Sequence, residues 1–389
     1  MQSLRGVVRH TPMRRSTTIG DMTGSEFHFK LENFQLTGSF KVRGAIHKVD
    51  SLSAADRKKG VVAASAGNHA QGVAYAARRA GVKCDIFMPE EATLAKVMAT
   101  KGYGATVHLA GRDYQDTFEH ALAFQKKAGA VYVHAFDDPL IMAGQGTIGL
   151  EIKEDLPKVD TVFVPIGGGG LISGIATALK GLDPKVRVIG VQAAGANTIA
   201  PSLEKGVAIT LDSVDTMADG IAVRKANPTT LSVIKERVDQ VVTVSESEIS
   251  AAILFLLERM KVVAEGAGAV TLAAAMHGKA DLKGRTACAL VSGGNIDMTL
   301  MSRIIRRGLV TEGRIAVFSM TISDRPGSLA SLLNLMAQHR GSIIDIRHDR
   351  HHDDISINRT VVELHVETRG PEHIDELRRA LQGAGYDLR

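Results

Sequence analysis

Lys41 lies in Gly38-Ser39-Phe40-Lys41-Val42-Arg43-Gly44-Ala45, a single amine among small residues, soon after Lys30-Leu31-Glu32-Asn33. Lone lysines are ordinarily surface residues. Between Phe40 and Val42, however, this one is expected to be half-buried, where desolvation disfavours the charged form and leaves a usable amine. Three loops downstream carry complementary chemistry. Ser65-Ala66-Gly67-Asn68-His69 ends a β-rich run and opens a helical one, so its amides suit a carboxylate, and Asn68 suits a phenolic oxygen. Taken alone, that loop also fits a plain helix cap, and His69 a structural role. Gly167-Gly168-Gly169-Gly170 leads from an apolar run into the helix beginning near Leu171. Glycines let backbone approach an anion there, and the helix N-terminus supplies free N–H groups. Ser292-Gly293-Gly294-Asn295 follows the apolar Ala287–Val291 and places a hydroxyl where a pyridine nitrogen would accept it. An amine for a Schiff base, an anchor for a ring, a phosphate cradle and a ring-nitrogen partner together describe a site for pyridoxal phosphate.

The elements that must position these loops alternate between residues 60 and 310. Strands are expected at 60–64, 83–88, 105–109, 131–135, 161–166, 187–192 and 285–291. Helices are expected at 70–80, 90–101, 113–128 and 171–182. Strands separated by helices need crossovers, hence a mostly parallel α/β arrangement with helices on both faces. There are more strands than one compact sheet holds conveniently, so two lobes are expected, the smaller at roughly 30–145. After about Gly313 the pattern changes. Strands at 314–322, 343–348, 360–367 and 386–389, with helices at 328–339 and 370–381, give the β-α-β-β-α-β order of a ferredoxin-like unit. The expected domains are therefore 1–312 and 313–389.

Composition sets outer bounds. The chain has 389 residues, 44% hydrophobic and 23% charged, which is globular rather than disordered. No apolar run is long enough to span a bilayer, and Met1 to Gly6 lacks a signal-peptide core, so a cytoplasmic protein with no membrane partner is expected. The net charge of +5 is spread among acidic residues without an aromatic-basic stripe, so no nucleic-acid partner is expected. Cys84 and Cys288 lie in apolar runs and are expected to be buried thiols. The run from His348 to Asp354 lacks the spacing of a zinc site and is taken as a solvated hairpin loop. Asp215 and Asp219 before Gly220 are candidate cation holders, and no metal ligand is assigned.

Five segments in this order resemble the fold-type II pyridoxal phosphate enzymes, and among them the threonine dehydratases (threonine ammonia-lyases). They are Ser39-Phe40-Lys41-x-Arg43-Gly44-Ala45, Ser65 to Gly72, Gly167 to Leu171, Ala264-Glu265-Gly266-Ala267-Gly268, and Ser292 to Asn295. The tail, with Asp324-Arg325-Pro326-Gly327, resembles a single ACT domain, a small amino-acid-sensing module. The resemblance implies that pyridoxal 5'-phosphate is attached at Lys41, which is also the catalytic base. Asn68 contacts its ring oxygen, and Gly167, Gly168, Gly169, Gly170 and Leu171 hold its phosphate. Ser292 faces the ring nitrogen, and Ser65, Ala66, Gly67, Asn68 and His69 receive the substrate carboxylate. It further implies that L-threonine is converted to 2-oxobutanoate and L-serine to pyruvate, with release of ammonia. Isoleucine or valine is the expected effector, and a homo-oligomer, dimer or tetramer, the expected assembly.

Several alternatives share these motifs. An L-serine dehydratase differs by one methyl group of substrate, which a pocket distinguishes by only about 1–3 kcal/mol. Serine racemases carry a second serine where this chain has Ala66, so two-sided proton transfer lacks its agent. Cysteine synthases surround their lysine with a different serine-rich sequence. A nicotinamide enzyme needs Gly-x-Gly-x-x-Gly and an acid ending the next strand, and Gln192-Ala193-Ala194 offers none. A catalytically silent amino-acid sensor would have no use for intact Lys41, Asn68 and Ser292.

Overall fold

The computed structural model describes residues 4–350 and 356–388, and the chain divides into two compact units, Met1–Ile296 and Asp297–Arg389. In the first unit the strands are β1 (Met13–Arg15), β2 (Glu26–Leu31), β3 (Val61–Ala64), β4 (Cys84–Met88), β5 (Thr106–Leu109), β6 (Val131–Tyr132), β7 (Thr161–Pro165), β8 (Arg187–Ala193), β9 (Gln240–Val244) and β10 (Thr286–Val291). They form a six-stranded sheet ordered β1-β2-β10-β7-β8-β9 and a four-stranded sheet ordered β5-β4-β3-β6. Every pairing is parallel except β1 with β2. Parallel strands covered by helices on both faces are buried throughout. This explains why β3 and β7 are continuous apolar or small-residue runs, buried at every position; β4 is buried too, with its one charge, Asp85, 2.8 Å from His108 Nε2.

Each sheet has its own core. Val61, Ala63, Ile86 and Met88 pack against Val42, Ile46 and Val73 from the covering helices. Val162, Val164, Val188 and Leu290 pack against Ile148, Ile172 and Ile175. The smaller sheet spans 61–132, inside the segment expected for the smaller lobe, and β2 joins the larger sheet through its pairing with β10. The helix expected at 90–101 runs from Leu94 to Gly102, capped by Thr93 after a turn over 89–92.

In the second unit a helix, Met298–Thr311, precedes β11 (Ile315–Ser323). The helix Ser328–Gln338, β12 (Ser342–Asp349), β13 (Arg359–Glu367), the helix Pro371–Gly383 and β14 (Asp387–Leu388) follow. The sheet is antiparallel, ordered β12-β13-β11-β14, and one face buries Phe318, Met320, Leu364 and Val366 with Leu332, Met336, Leu377 and Leu381. The unit begins before residue 313, because the helix Met298–Thr311 belongs with it: Arg306 Nη2 and His365 Nδ1 of β13 are 2.9 Å apart. That boundary left no composition shift to see. His348 and Asp349 end β12 and Arg350 follows it, whereas His351 to Asp354 lie outside the described residues. No cluster of metal-ligating side chains occurs among the described residues, and none of their helices is long and apolar enough to cross a membrane.

Candidate active site

The C-terminal ends of β3, β7 and β10 open onto one cavity of about 380 Å³ within the first unit. Loops at strand ends are where parallel α/β sheets place their ligands. Lys41, Ser65, Ala66, Gly67, Asn68, His69, Gly167, Gly168, Gly169, Leu171 and Ser292 all line it. Gly170 lies one step behind, as the first residue of the helix Gly170–Leu182.

Backbone pairing fixes Lys41 relative to Ser292. Ser39 bridges Gly293, Phe40 N donates to Ser292 O at 3.1 Å, and Gly294 N donates to Gly38 O at 2.9 Å. The segment 38–40 is thus stitched to the end of β10, and Lys41 begins the helix Lys41–Asp50 directly after it. Its Nζ donates to Ala135 O at 3.1 Å. Burial lowers the amine pKa from 10.5 to about 8, against the opposing charge of Glu265, so a neutral amine is accessible near neutral pH.

The glycine loop is shaped by its neighbours. A Cβ at Gly168 would stand 2.3 Å from the Phe136 ring, and Gly169 has φ +90° with Thr230 Cβ 2.7 Å from its own Cβ position. Thr230 Oγ1 donates to Gly168 O at 2.8 Å, holding the loop open toward the helix N-terminus. Such a loop accepts an anion at its amides and admits no larger residue.

Asn68 sits in a chain of fixed polarity. Asn295 Nδ2 donates both to Thr37 O at 2.8 Å and to Asn68 Oδ1 at 2.6 Å, and Asn68 Nδ2 donates to Glu265 Oε1 at 2.7 Å. The second N–H of Asn68 remains for a ligand acceptor. Ser292 is buried, with Oγ donating to Ala267 O at 3.2 Å, and carries no charge. His69 donates from Nε2 to Val133 O at 2.8 Å, the tautomer that a carbonyl partner requires. Burial first, and the nearby Lys41 charge second, push its pKa down to about 3, so it is neutral at physiological pH.

Lys96, Tyr114, Phe136 and Ile221 to Val223, which no sequence motif marks, complete the wall with Asp219 and Gly220. Lys96 Nζ and Asp219 Oδ2 are 2.9 Å apart. Asp219, weighed above as a cation holder, is therefore an ion-pair partner in the cavity wall, and Asp215 does not line it. No spacing rule links these residues to Lys41, because the fold brings them together over long sequence distances. Both cysteines are buried, and burial raises each thiol to about 12.

A buried amine of lowered pKa, a side-chain-free anion cradle, an amide with a spare N–H and a neutral hydroxyl fit pyridoxal phosphate. A family model described as pyridoxal-phosphate dependent enzyme matches residues 4–293. The chain belongs to that family. Within this pyridoxal-phosphate dependent family, it is 47% identical over 388 residues to the L-threonine ammonia-lyase of Thermotoga maritima. That match covers 100% of this chain and 96% of the relative, the second unit included. The processed form of threonine deaminase isoform 2 from Solanum lycopersicum matches with a TM-score of 0.75 at 37% identity, covering 78% of this chain and 89% of that one. Maize serine racemase gives the same TM-score of 0.75 at 35% identity, covering 80% and 95%. Shape alone does not separate elimination from racemisation among these pyridoxal-phosphate dependent enzymes.

Proposed function

We propose that this enzyme deaminates L-threonine to 2-oxobutanoate and ammonia, and L-serine to pyruvate, by α,β-elimination of water. The observation that carries this reading is the Lys41 amine, of lowered pKa, in a cavity whose carboxylate loop has Ala66 where a racemase would need a second ionisable group. The full-length similarity to an L-threonine ammonia-lyase supports it.

The residues divide the work. Gly167 to Leu171 would hold the cofactor phosphate through backbone amides, Asn68 would donate to its ring oxygen, and Ser292 would meet the ring nitrogen. Bound at Lys41, the cofactor supplies an electron sink that acidifies the substrate's α-hydrogen. Ser65 to His69 fix the substrate carboxylate at a helix N-terminus. The Lys41 amine is the group placed to remove the α-proton. Ser292 offers a hydroxyl and no charge, so it does not drive the ring nitrogen to protonate, which favours prompt loss of the β-hydroxyl over transamination.

The experiment is steady-state 2-oxo acid production from L-threonine and L-serine, with D-serine formation measured in parallel. Oxo acid from threonine with negligible D-serine is expected. Net D-serine without oxo acid would overturn the reading. The second unit, with its β-α-β-β-α-β order and the Asp324–Gly327 turn before the helix Ser328–Gln338, we read as an ACT-type module that binds isoleucine or valine.

A further inference from the structure

Loss of water from a β-hydroxyl needs a proton for the departing oxygen as well as a base for the α-hydrogen. Lys41 answers the second need. The cavity wall contains few groups for the first. His69 is neutral with its N–H spent on Val133, Lys96 is held by Asp219, and the Tyr114 hydroxyl is hydrogen-bonded with Tyr132 and made a weaker acid by burial. Glu265 remains. It is 5% exposed, lines the cavity, and its backbone N donates to Gly293 O at 3.1 Å. The carboxyl occupies space that only glycines leave open: a Cβ at Gly293 would stand 2.3 Å from Oε1, and one at Gly220 3.6 Å. Asn68 Nδ2, at the head of the helix that follows the carboxylate loop, holds Oε1 at 2.7 Å. The carboxyl is therefore aimed, buried, and beside the substrate's expected seat.

We propose that Glu265 is the general acid that protonates the leaving β-hydroxyl. This rests on the dehydratase reading above. Lys41 takes the α-hydrogen as a proton, and the electrons of that C–H bond become the Cα–Cβ double bond. The Cβ–O bond breaks with its pair on oxygen, Glu265 gives that oxygen its proton, and water leaves. Lys41 is then an ammonium and Glu265 a carboxylate, and one proton passed between them restores both. The electrostatics agree. Burial, then the Asp219 charge, raise the Glu265 pKa from 4.5 to about 7, while the Asn68 hydrogen bond and the charges of Lys96 and Lys41 oppose the rise. A proton is thus available near neutral pH, as a general acid requires.

The test compares leaving groups. Chloride leaves from β-chloro-L-alanine without needing a proton, whereas hydroxide does not leave unaided. Glu265→Gln keeps the acceptor for Asn68 and the volume, but holds no acidic proton. In the holoenzyme, E265Q is expected to lose about 10²–10⁴-fold in kcat on threonine and serine. On β-chloro-L-alanine it is expected to stay within several-fold of the parent. E265D, which retains a carboxyl, should recover part of the hydroxyl-dependent rate. Infrared difference spectra of the substrate-free protein should show a protonated-carboxyl C=O band at pH 6 that E265Q lacks. Equal losses on both substrates would make Glu265 a holder of Asn68 rather than an acid, and would overturn the proposal. So would undiminished threonine turnover in E265Q, with Lys41 then returning its own proton to the oxygen. Should the parent enzyme release no ammonia from threonine or serine but consume β-chloro-L-alanine, the dehydratase reading itself fails, and the acid role with it.

Discussion

Arg43 meets Glu151 through both ends of its guanidinium, Nη1 to Oε1 at 2.6 Å and Nη2 to Oε2 at 2.9 Å. Its other edge meets Glu32, Nε to Oε2 and Nη2 to Oε1, each at 2.8 Å. Lys30 adds a second cation on Glu151 at 2.8 Å. All of these side chains are buried, and Arg43 sits one residue beyond Val42 on the helix that Lys41 begins. The network therefore ties that helix to Pro139–Asp155, where Gly44 and Gly144 let the two backbones meet.

Glu151→Gln leaves Arg43 with Glu32 and Lys30 with Asp155 but weakens the charge-assisted bonds to both cations in a buried network, so it is expected to cost about 1.5–3 kcal/mol of stability. Burial pushes the Glu151 pKa up, but the hydrogen bond and charge of Arg43 and the charge of Lys30 outweigh it and hold the group below 4.5. A depressed folded-state pKa contributes stability above 4.5 that is lost as pH falls through the lower folded value. Urea midpoints of the parent should fall on acidification below that point, and those of E151Q less steeply. Parallel pH dependences in the two proteins would remove Glu151 from the account.

Lys41→Ala should abolish ammonia release, by more than about 10³-fold, because one amine serves as both attachment point and base. The fold should survive, since Lys41 Nζ makes its hydrogen bond to a single carbonyl, Ala135 O. Purified parent enzyme should be yellow and the variant should lack the visible band. Near-normal turnover by the variant would end the assignment.

Gly168→Ala tests the cradle. Its Cβ would enter the Phe136 ring at 2.3 Å, an overpacking that costs about 1–3 kcal/mol where neighbours yield only partly. Cofactor affinity, read by titrating pyridoxal phosphate against the visible band, should fall by about 10-fold or more for that energy. Adding Phe136→Ala should restore part of it, because the clash then has no partner. Additive losses in the double variant would mean that the ring does not shape the loop.

Most of the parallel strands were legible because they are continuous apolar runs bounded by glycine-rich loops. The site loops were legible for the same reason: backbone cradles need glycine, and glycine clusters stand out. The charged groups that tune the site were not. Lys96, Asp219 and the Asn68–Glu265–Asn295 geometry depend on contacts between distant segments, and exposed lysines and aspartates look alike in sequence. β1, β2 and β9 were missed; β2, with His28 and Lys30 inside it, resembles an edge segment. Those residues are polar there because Lys30 joins the buried network.

The second unit gives the last prediction. Gly327, at φ +91°, precedes the helix Ser328–Gln338, and nothing stands within 4 Å of where its Cβ would be. A helix N-terminus suits the carboxylate of a free amino acid, and the turn before this one leaves room for it at Gly327. If isoleucine or valine binds there and favours one of two enzyme states, the coupling expected is about 1–3 kcal/mol, a 5–150-fold change in threonine affinity. Gly327→Val fills that space and strains the left-handed backbone, so it should abolish the response to either amino acid while leaving basal turnover intact. Isoleucine and valine titrations at sub-saturating threonine, with calorimetric binding alongside, decide the matter. An unchanged rate and no heat of binding in the parent protein would leave the unit a structural appendage rather than a sensor.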